Sequence, residues 1–264
     1  MSENQVSVPK ANEVIVPDYL SDFQGETGVE SLGEFIKPPR IKIVQKQAND
    51  ALLENYSIGD VILTPANSLM VSKDGPVSFA PIFFFPEWCT WAPYELKDTM
   101  DAILERTTDP ASPLVHKCRN PKLREEPCPG NEKYMVRHCE HLNYVVLILD
   151  GPAAGTTAVM SFFRAQHQDG TNFAQLIKMR KAGIPLYAMQ FEMKSYNKQY
   201  GGNSWWGLRV QNPQGMAPFA SAEEFEDRKG LFEELSKMHE SGAVAVDFSE
   251  DTVEGTATST STKF

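Results

Sequence analysis

The sequence predicts a mainly β protein with α segments, an α+β domain, and three observations carry that class. Alternating or apolar runs at 77–88, 144–150, 156–163, 186–196 and 204–211 are separated by Gly, Pro, Asn and Asp turn signals. One helical pattern, 173–181, falls among them, so the main elements run β-β-β-α-β-β. Charge is segregated. Residues 1–37 hold two basic and seven acidic side chains, residues 220–264 hold four and eleven, and residues 38–219 hold nineteen and seventeen. The net charge of -10 therefore resides at the two ends, and the middle is slightly basic.

Residues 1–37 are polar and acidic and predict a flexible arm. Pro38-Pro39 excludes a helix, and Arg40 to Gln45 alternates like a half-buried strand, followed by a short strand at Val61 to Thr64. The run from Val77 to Trp88 is long, and Pro81 and Pro86 within it predict an edge position or a bulge. About fifty residues then precede the most apolar strand, Tyr144 to Asp150, so a metal or a local helix over Lys97 to Arg106 must order them. Asp150-Gly151-Pro152 is a turn, and Thr156 to Phe163 is the next strand. Thr171-Asn172 is read as the cap of the helix at 173–181, with Gly183 as its stop. Pro185 opens the strand 186–196, and Gly201-Gly202-Asn203 turns it into the return strand 204–211. Ser221 and Glu224 form a capping box for an amphipathic helix within 220–240, interrupted by Gly230. The acidic, Ser/Thr-rich segment 241–264 predicts a disordered tail. One domain over 38–219 is expected, with 90–142 as an insertion.

The insertion carries metal-type side chains. Cys118, Cys128 and Cys139 are the first three candidate zinc ligands, with His141 or His116 as the fourth, because zinc takes four N or S donors and can staple a loop without a core. No Cys-x-x-Cys pair is present, so free thiols are the competing reading. Disulfides are disfavoured, since no secretory signal opens the chain.

Strand parity groups a second set. Lys194 and Tyr196 point away from Phe191 and Met193, while Trp205 and Arg209 point away from Trp206, Leu208 and Val210. Lys194, Tyr196, Lys198, Tyr200, Trp205 and Arg209 thus share one basic, aromatic surface, with Arg164, Trp88, Trp91 and Tyr94 as further neighbours. Cations track phosphates and rings stack bases, which is what a single nucleic-acid strand requires.

The order β-β-β-α-β-β is that of an OB-fold, a five-stranded Greek-key barrel. Here the Cys/His insertion falls between strands one and two, and the Gly201 hairpin lies between strands four and five. Pro39 to Gln45, the Cys-bearing loop ahead of Tyr144 to Gly151, Ser161 near a strand end, and the strand after Pro185 resemble the OB-fold single-stranded DNA-binding proteins of tailed, especially short-tailed, bacteriophages. The resemblance covers roughly residues 38–215. It implies sequence-tolerant binding of single-stranded DNA in phage replication and recombination, with a role in transcription as an extension, and a zinc loop beside the groove. It also implies work in the cytoplasm of an infected bacterial host. An acidic tail closed by an aromatic residue recruits partners in such proteins. Asp247, Glu250, Asp251, Glu254 and Phe264 match that pattern and point to replication proteins, whereas Lys263 departs from it and would suit a different partner, for example an RNA polymerase.

Catalysis is not expected. No phosphate-binding Gly-x-x-x-x-Gly-Lys loop and no Gly-x-Ser-x-Gly elbow is present. His138-Cys139-Glu140 lacks the later Pro-Cys-x-x-Cys of zinc deaminases, which leaves a zinc-dependent nucleic-acid enzyme in third place. The rival to strand binding is a virion or scaffold protein without single-strand preference. No apolar run is long enough to cross a membrane.

Overall fold

The structure, a computed structural model, describes residues 38–240 apart from 49, 97–98, 180–182, 201 and 215–216, together with Val246. The expected arm at 1–37 and all of the expected tail except Val246 lie outside the described residues.

Alternation of large apolar and polar side chains produces ten strands in one sheet: β1 (Arg40–Ile43), β2 (Val61–Thr64), β3 (Ser68–Val71), β4 (Val77–Trp91), β5 (Ile103–Thr107), β6 (Glu125–Cys128), β7 (Asn131–Ile148), β8 (Thr157–Phe162), β9 (Phe191–Tyr200) and β10 (Asn203–Gln211). Among the described residues, four α-helices join them: α1 (Asp50–Asn55), α2 (Pro113–Arg119), α3 (His167–Met179) and α4 (Ala222–Glu240). The ladder runs β10-β9-β4-β7-β8-β1-β2-β3, with β5 added to β4 and β6 to β7. All pairs are antiparallel except β1 with β8.

The molecule is therefore mixed α+β with a large sheet and few helices, and the sheet does not close into a five-stranded barrel. The edge strand β10 approaches the segment just after β1 without a ladder. The Gln45 amide donates to Trp206 O at 2.8 Å and accepts from Trp206 N at 3.0 Å, so one side chain satisfies the edge of β10.

β4 carries the bulge its prolines predict. Register shifts between Pro81 and Phe83, and side-chain parity changes with it. Val77 and Phe79 lie in the inner core with Tyr144, Phe173 and Phe191, whereas Phe83, Phe85, Cys89 and Trp91 face the outer side. The edge reading holds locally: β4 is interior to the sheet at 77–79, where it pairs with β9, and at 88–91, where it pairs with β5, but 80–87 pair with β7 alone. Both prolines fall in the stretch where β7 is the one ladder neighbour, so no second strand needs their missing N–H.

α3 caps the inner core through Phe173, whose ring meets Tyr144 at 4.6 Å and Phe191 at 5.0 Å. Each such buried ring is worth about 1.5–3 kcal/mol. α3 begins at His167, earlier than expected, and Thr171 is not its cap. The Thr171 hydroxyl instead bonds back to His167 O inside the helix. α4 covers the outer face with Phe232 and Leu235, capped as expected by Ser221 N to Glu224 at 2.7 Å and Glu224 N to Ser221 Oγ at 3.3 Å. It runs through Gly230 without interruption.

Three local expectations are corrected. The segment expected to be helical at 97–106 ends in β5, held by pairing with β4, and α2 supplies the helix of the insertion. Residues 186–188 form a 3-10 turn, so the strand begins at Phe191. β7 begins at Asn131, so about half the insertion is ladder.

Gly170 brings α3 onto the sheet: a Cβ there would lie 2.6 Å from Phe162 Cβ and 3.0 Å from Leu142 Cδ1. Gly170→Ala should therefore destabilise by about 1–3 kcal/mol in urea titration, although Ala ordinarily stabilises a helix interior. Equal or greater stability would show that this contact is not limiting.

Candidate functional site

The outer face of β4, β7, β8 and β1 carries a groove of about 570 Å³. Parity places its side chains. Ile41 and Ile43 point into the inner core, so Arg40 and Lys42 face outward, and the inward Met160 and Phe162 likewise leave Ser161 and Phe163 on the groove side. Trp91 comes from the end of β4, Tyr94 from the loop after it, Arg137 from β7, and Arg164 from the turn after β8. Four cations and three rings thus line one concavity. Among the described residues, Glu95 and Glu125 are its acidic members, and Glu125 is ion-paired with Arg137.

The aromatic wall is ordered. His141 stacks on Phe163 at 4.4 Å and 5°, and Trp91 lies parallel to both, 5.7 Å from His141 and 5.6 Å from Phe163. Trp91 Nε1 donates to His141 Nε2 at 3.1 Å, and the Arg164 guanidinium sits 4.5 Å from the Trp91 ring centroid. Arg164 has φ +48°, a left-handed conformation uncommon for a non-glycine residue, which turns its side chain back over the groove. Burial, with Arg164, Arg106 and Arg40 nearby, pushes the His141 imidazole down to about 3, so the ring is neutral at physiological pH.

The hairpin residues do share one face, since the register pairs Trp205 with Lys198 and Arg209 with Lys194. They do not line the groove, and several are engaged. Asp169 of α3 accepts from Tyr196 Oη at 2.7 Å and from Lys198 Nζ at 2.8 Å, and Arg209 lies 4.3 Å over Tyr196. Lys198 also reaches Ala165 O at 3.0 Å, in the turn whose Arg164 and Gln166 line the groove. That turn therefore links the two surfaces. Lys194 and Trp205 are half-buried, Arg209 is exposed, and the Tyr200 side chain lies outside the described residues.

Trp88 is not a groove residue. It is 1 % exposed, packs with Leu114, Val115 and Cys118, and donates to Glu140 Oε1 at 3.1 Å. Glu140 also accepts from Arg119 at 2.8 Å and faces His167 at 3.4 Å. Hydrogen bonding from His167, then from Arg119 and Trp88, holds its carboxyl down at about 2. This carboxylate ties β4, β7, the insertion helix and the start of α3 together.

The expected zinc set does not assemble. Cys118 is on α2, Cys139 and His141 are on β7, and Cys128 ends β6 with its Sγ 4.0 Å from Met100 Sδ. His116 is exposed on α2. Burial first, then Cys139, pushes the Cys118 thiol up to about 12, so it is protonated at neutral pH. Among the described residues, the metal-type group that does converge is Glu87, Cys89 and His141, whose ligand atoms all lie within 4.8 Å of one another. All three are buried.

Sequence reasoning missed Glu87 and Cys89, together with Arg40, Lys42, Arg137 and Phe163. Their alternation within strands was visible for Glu87 with Cys89 and for Arg40 with Lys42, but the strand that would face them was not. The partner residues Asp247, Glu250, Asp251, Glu254, Lys263 and Phe264 lie outside the described residues.

Fold and groove define a β-rich protein with a basic, aromatic cleft built on the outer side of its sheet. The family model of the Pam3 phage gp34-like protein matches residues 10–243, so the chain belongs to that family and is a bacteriophage protein. No curated protein and no solved structure matches it. Among the described residues, no helix is long and apolar enough to cross a membrane.

Because Glu140 titrates below the usual carboxylate range, its contribution is complete above about pH 5 and is lost as pH falls toward 2. Glu140→Gln should cost about 2 kcal/mol at pH 7. The gap from wild type should narrow in denaturant titrations at pH 4 and pH 3; a gap that stays constant to pH 3 would refute the assignment.

Proposed function

We propose that this phage protein binds single-stranded DNA with little sequence preference and that the outer groove is its binding surface. The observation that carries this is the convergence of Arg40, Lys42, Arg137 and Arg164 with Trp91, Tyr94 and Phe163 in one cleft. Guanidinium and ammonium groups meet phosphates without reading sequence, and every base has a face to stack. The Arg164 guanidinium, layered on Trp91, adds a flat cationic surface suited to a base.

Strand order supports an OB-type frame. β4, β7 and β8 form a meander, α3 follows, and the β9-β10 hairpin returns to the start of β4. In such a frame ligands cross the outer face of the second and third strands, here β7 and β8, where the groove lies. β1 takes the place beside β8 that the last strand would occupy in a closed five-stranded barrel. The hairpin residues Lys194, Lys198, Trp205 and Arg209 extend the path across the 164–166 turn, although Asp169 neutralises part of their charge. A replication and recombination role follows from this binding mode. The acidic C-terminal segment is proposed to engage a replication protein or an RNA polymerase. Zinc keeps a place in the proposal through Glu87, Cys89 and His141, the donor set beside Trp91.

Titration of the full chain with fluorescent oligo(dT) should give salt-sensitive binding and tryptophan quenching, with duplex of equal length bound more weakly. Lys42→Ala should reduce the slope of log K against log salt by about 0.7, the single-strand value for one phosphate contact. Tyr94→Ala should cost about 1–3 kcal/mol if its ring stacks a base. No preference for single strand over duplex would overturn the proposal in favour of a scaffold role, and tighter binding of oligo(U) would move it to RNA.

A further inference from the structure

Beside the groove, the alternating positions 87 and 89 of β4 face position 141 of β7, since Glu87 pairs with His141 in the ladder. Their side chains bring one carboxylate oxygen, one thiol sulfur and one imidazole nitrogen within 4.8 Å of one another. Glu87 is 3 % exposed, and Cys89 and His141 are fully buried.

We propose that Glu87, Cys89 and His141 form a zinc site that controls the groove residue Trp91. The donor mixture of O, S and N is one that zinc accepts, and two of the donors are anionic once the thiol proton leaves, matching a dication. Ligand atoms around a tetrahedral zinc are about 3.5 Å apart, so small side-chain rotations would close the set. Two features prepare the carboxylate. Arg106 Nε donates to Glu87 Oε1 at 2.8 Å and fixes the group, while Glu87 Oε2 is buried and has no hydrogen-bond partner. The fourth position goes to water or to Cys139, which pairs with Cys89 across the ladder.

Control of Trp91 follows from proton bookkeeping on His141. A neutral imidazole has one lone pair, and Trp91 Nε1–H now occupies it. A zinc ion bound at either ring nitrogen takes that lone pair and leaves the other nitrogen protonated, so the Trp91 N–H loses its acceptor. The Cys89 thiol proton goes to solvent. Trp91 is then released from His141 and can reorient toward the groove that it lines.

The test uses the full chain with no nucleic acid, so its outcome is independent of whether the groove binds a strand. Chelator-stripped protein should take up about one zinc per chain by calorimetry and elemental analysis, release a proton, and change its tryptophan emission. Cobalt in place of zinc should give a thiolate charge-transfer band. Cys89→Ser should abolish that band where water fills the fourth position and roughly halve it where Cys139 does, Cys128→Ser should leave it unchanged, and Arg106→Ala should weaken uptake about 10- to 100-fold through loss of the grip on Glu87. Because Cys89→Ser could fail to fold, the wild-type cobalt spectrum decides independently. No thiolate band in folded wild-type protein, or a band undiminished in Cys89→Ser, would overturn the site. An emission change absent despite uptake would overturn the control of Trp91.

Discussion

The ladder between β4 and β7 is the constraint on which the rest of the structure depends. It runs from Phe79 opposite Ile148 to Trp91 opposite Arg137, and each end does a different job. At the first end, Phe79, Tyr144 and Val146 build the inner core. At the other, Glu87, Cys89, Trp91 and His141 build the wall beside the groove. The bulge at Pro81 makes this division possible, since one inserted residue moves the odd positions of β4 from the inner side to the outer. Without that shift, Trp91 and Cys89 would point to the other side of the sheet.

The open sheet is held near closure by side chains. Gln45 takes both backbone groups of Trp206, so β1 stays beside β10 while no strand pairing joins them. The β1 placement matters chemically, because it carries Arg40 and Lys42 onto the same face as Arg164. A strand of only four residues therefore supplies two of the four cations that line the groove among the described residues.

Two buried or half-buried carboxylates do the remaining joining, both positioned by opposite charges and hydrogen bonds. Asp169 links α3 to the hairpin, and Glu140 links the insertion helix to the sheet and to α3. Such groups are costly to bury alone, so their pairing sets where the elements sit as well as how firmly they hold. The same accounting explains why the hairpin cations are less available than their sequence suggests: Lys198 is 17 % exposed and already paired.

Local signals determined much of this protein. The order of the main strands and of α3, the bulge implied by Pro81 and Pro86, the capping box at Ser221, the turn at Gly202 and the shared face of Lys194, Lys198, Trp205 and Arg209 all depend on spacing of two to four residues, which the chain itself displays, whereas β3, β5, β6, α1 and α2 carried no such signal. Trp91, Tyr94 and Arg164 were also legible as groove candidates. Tertiary structure decided what faced what. Cys118, Cys128 and Cys139 look like one cluster along the chain, yet they fall on a helix and two strands, and ladder register brings Glu87 and Cys89 to His141 instead. Trp88 and Trp91 are three residues apart, but the odd spacing sends one into the packing of the insertion and the other to the groove. The physical reason is that strand pairing joins residues about fifty positions apart, and the register that selects those partners comes from packing and bulges summed over the whole sheet.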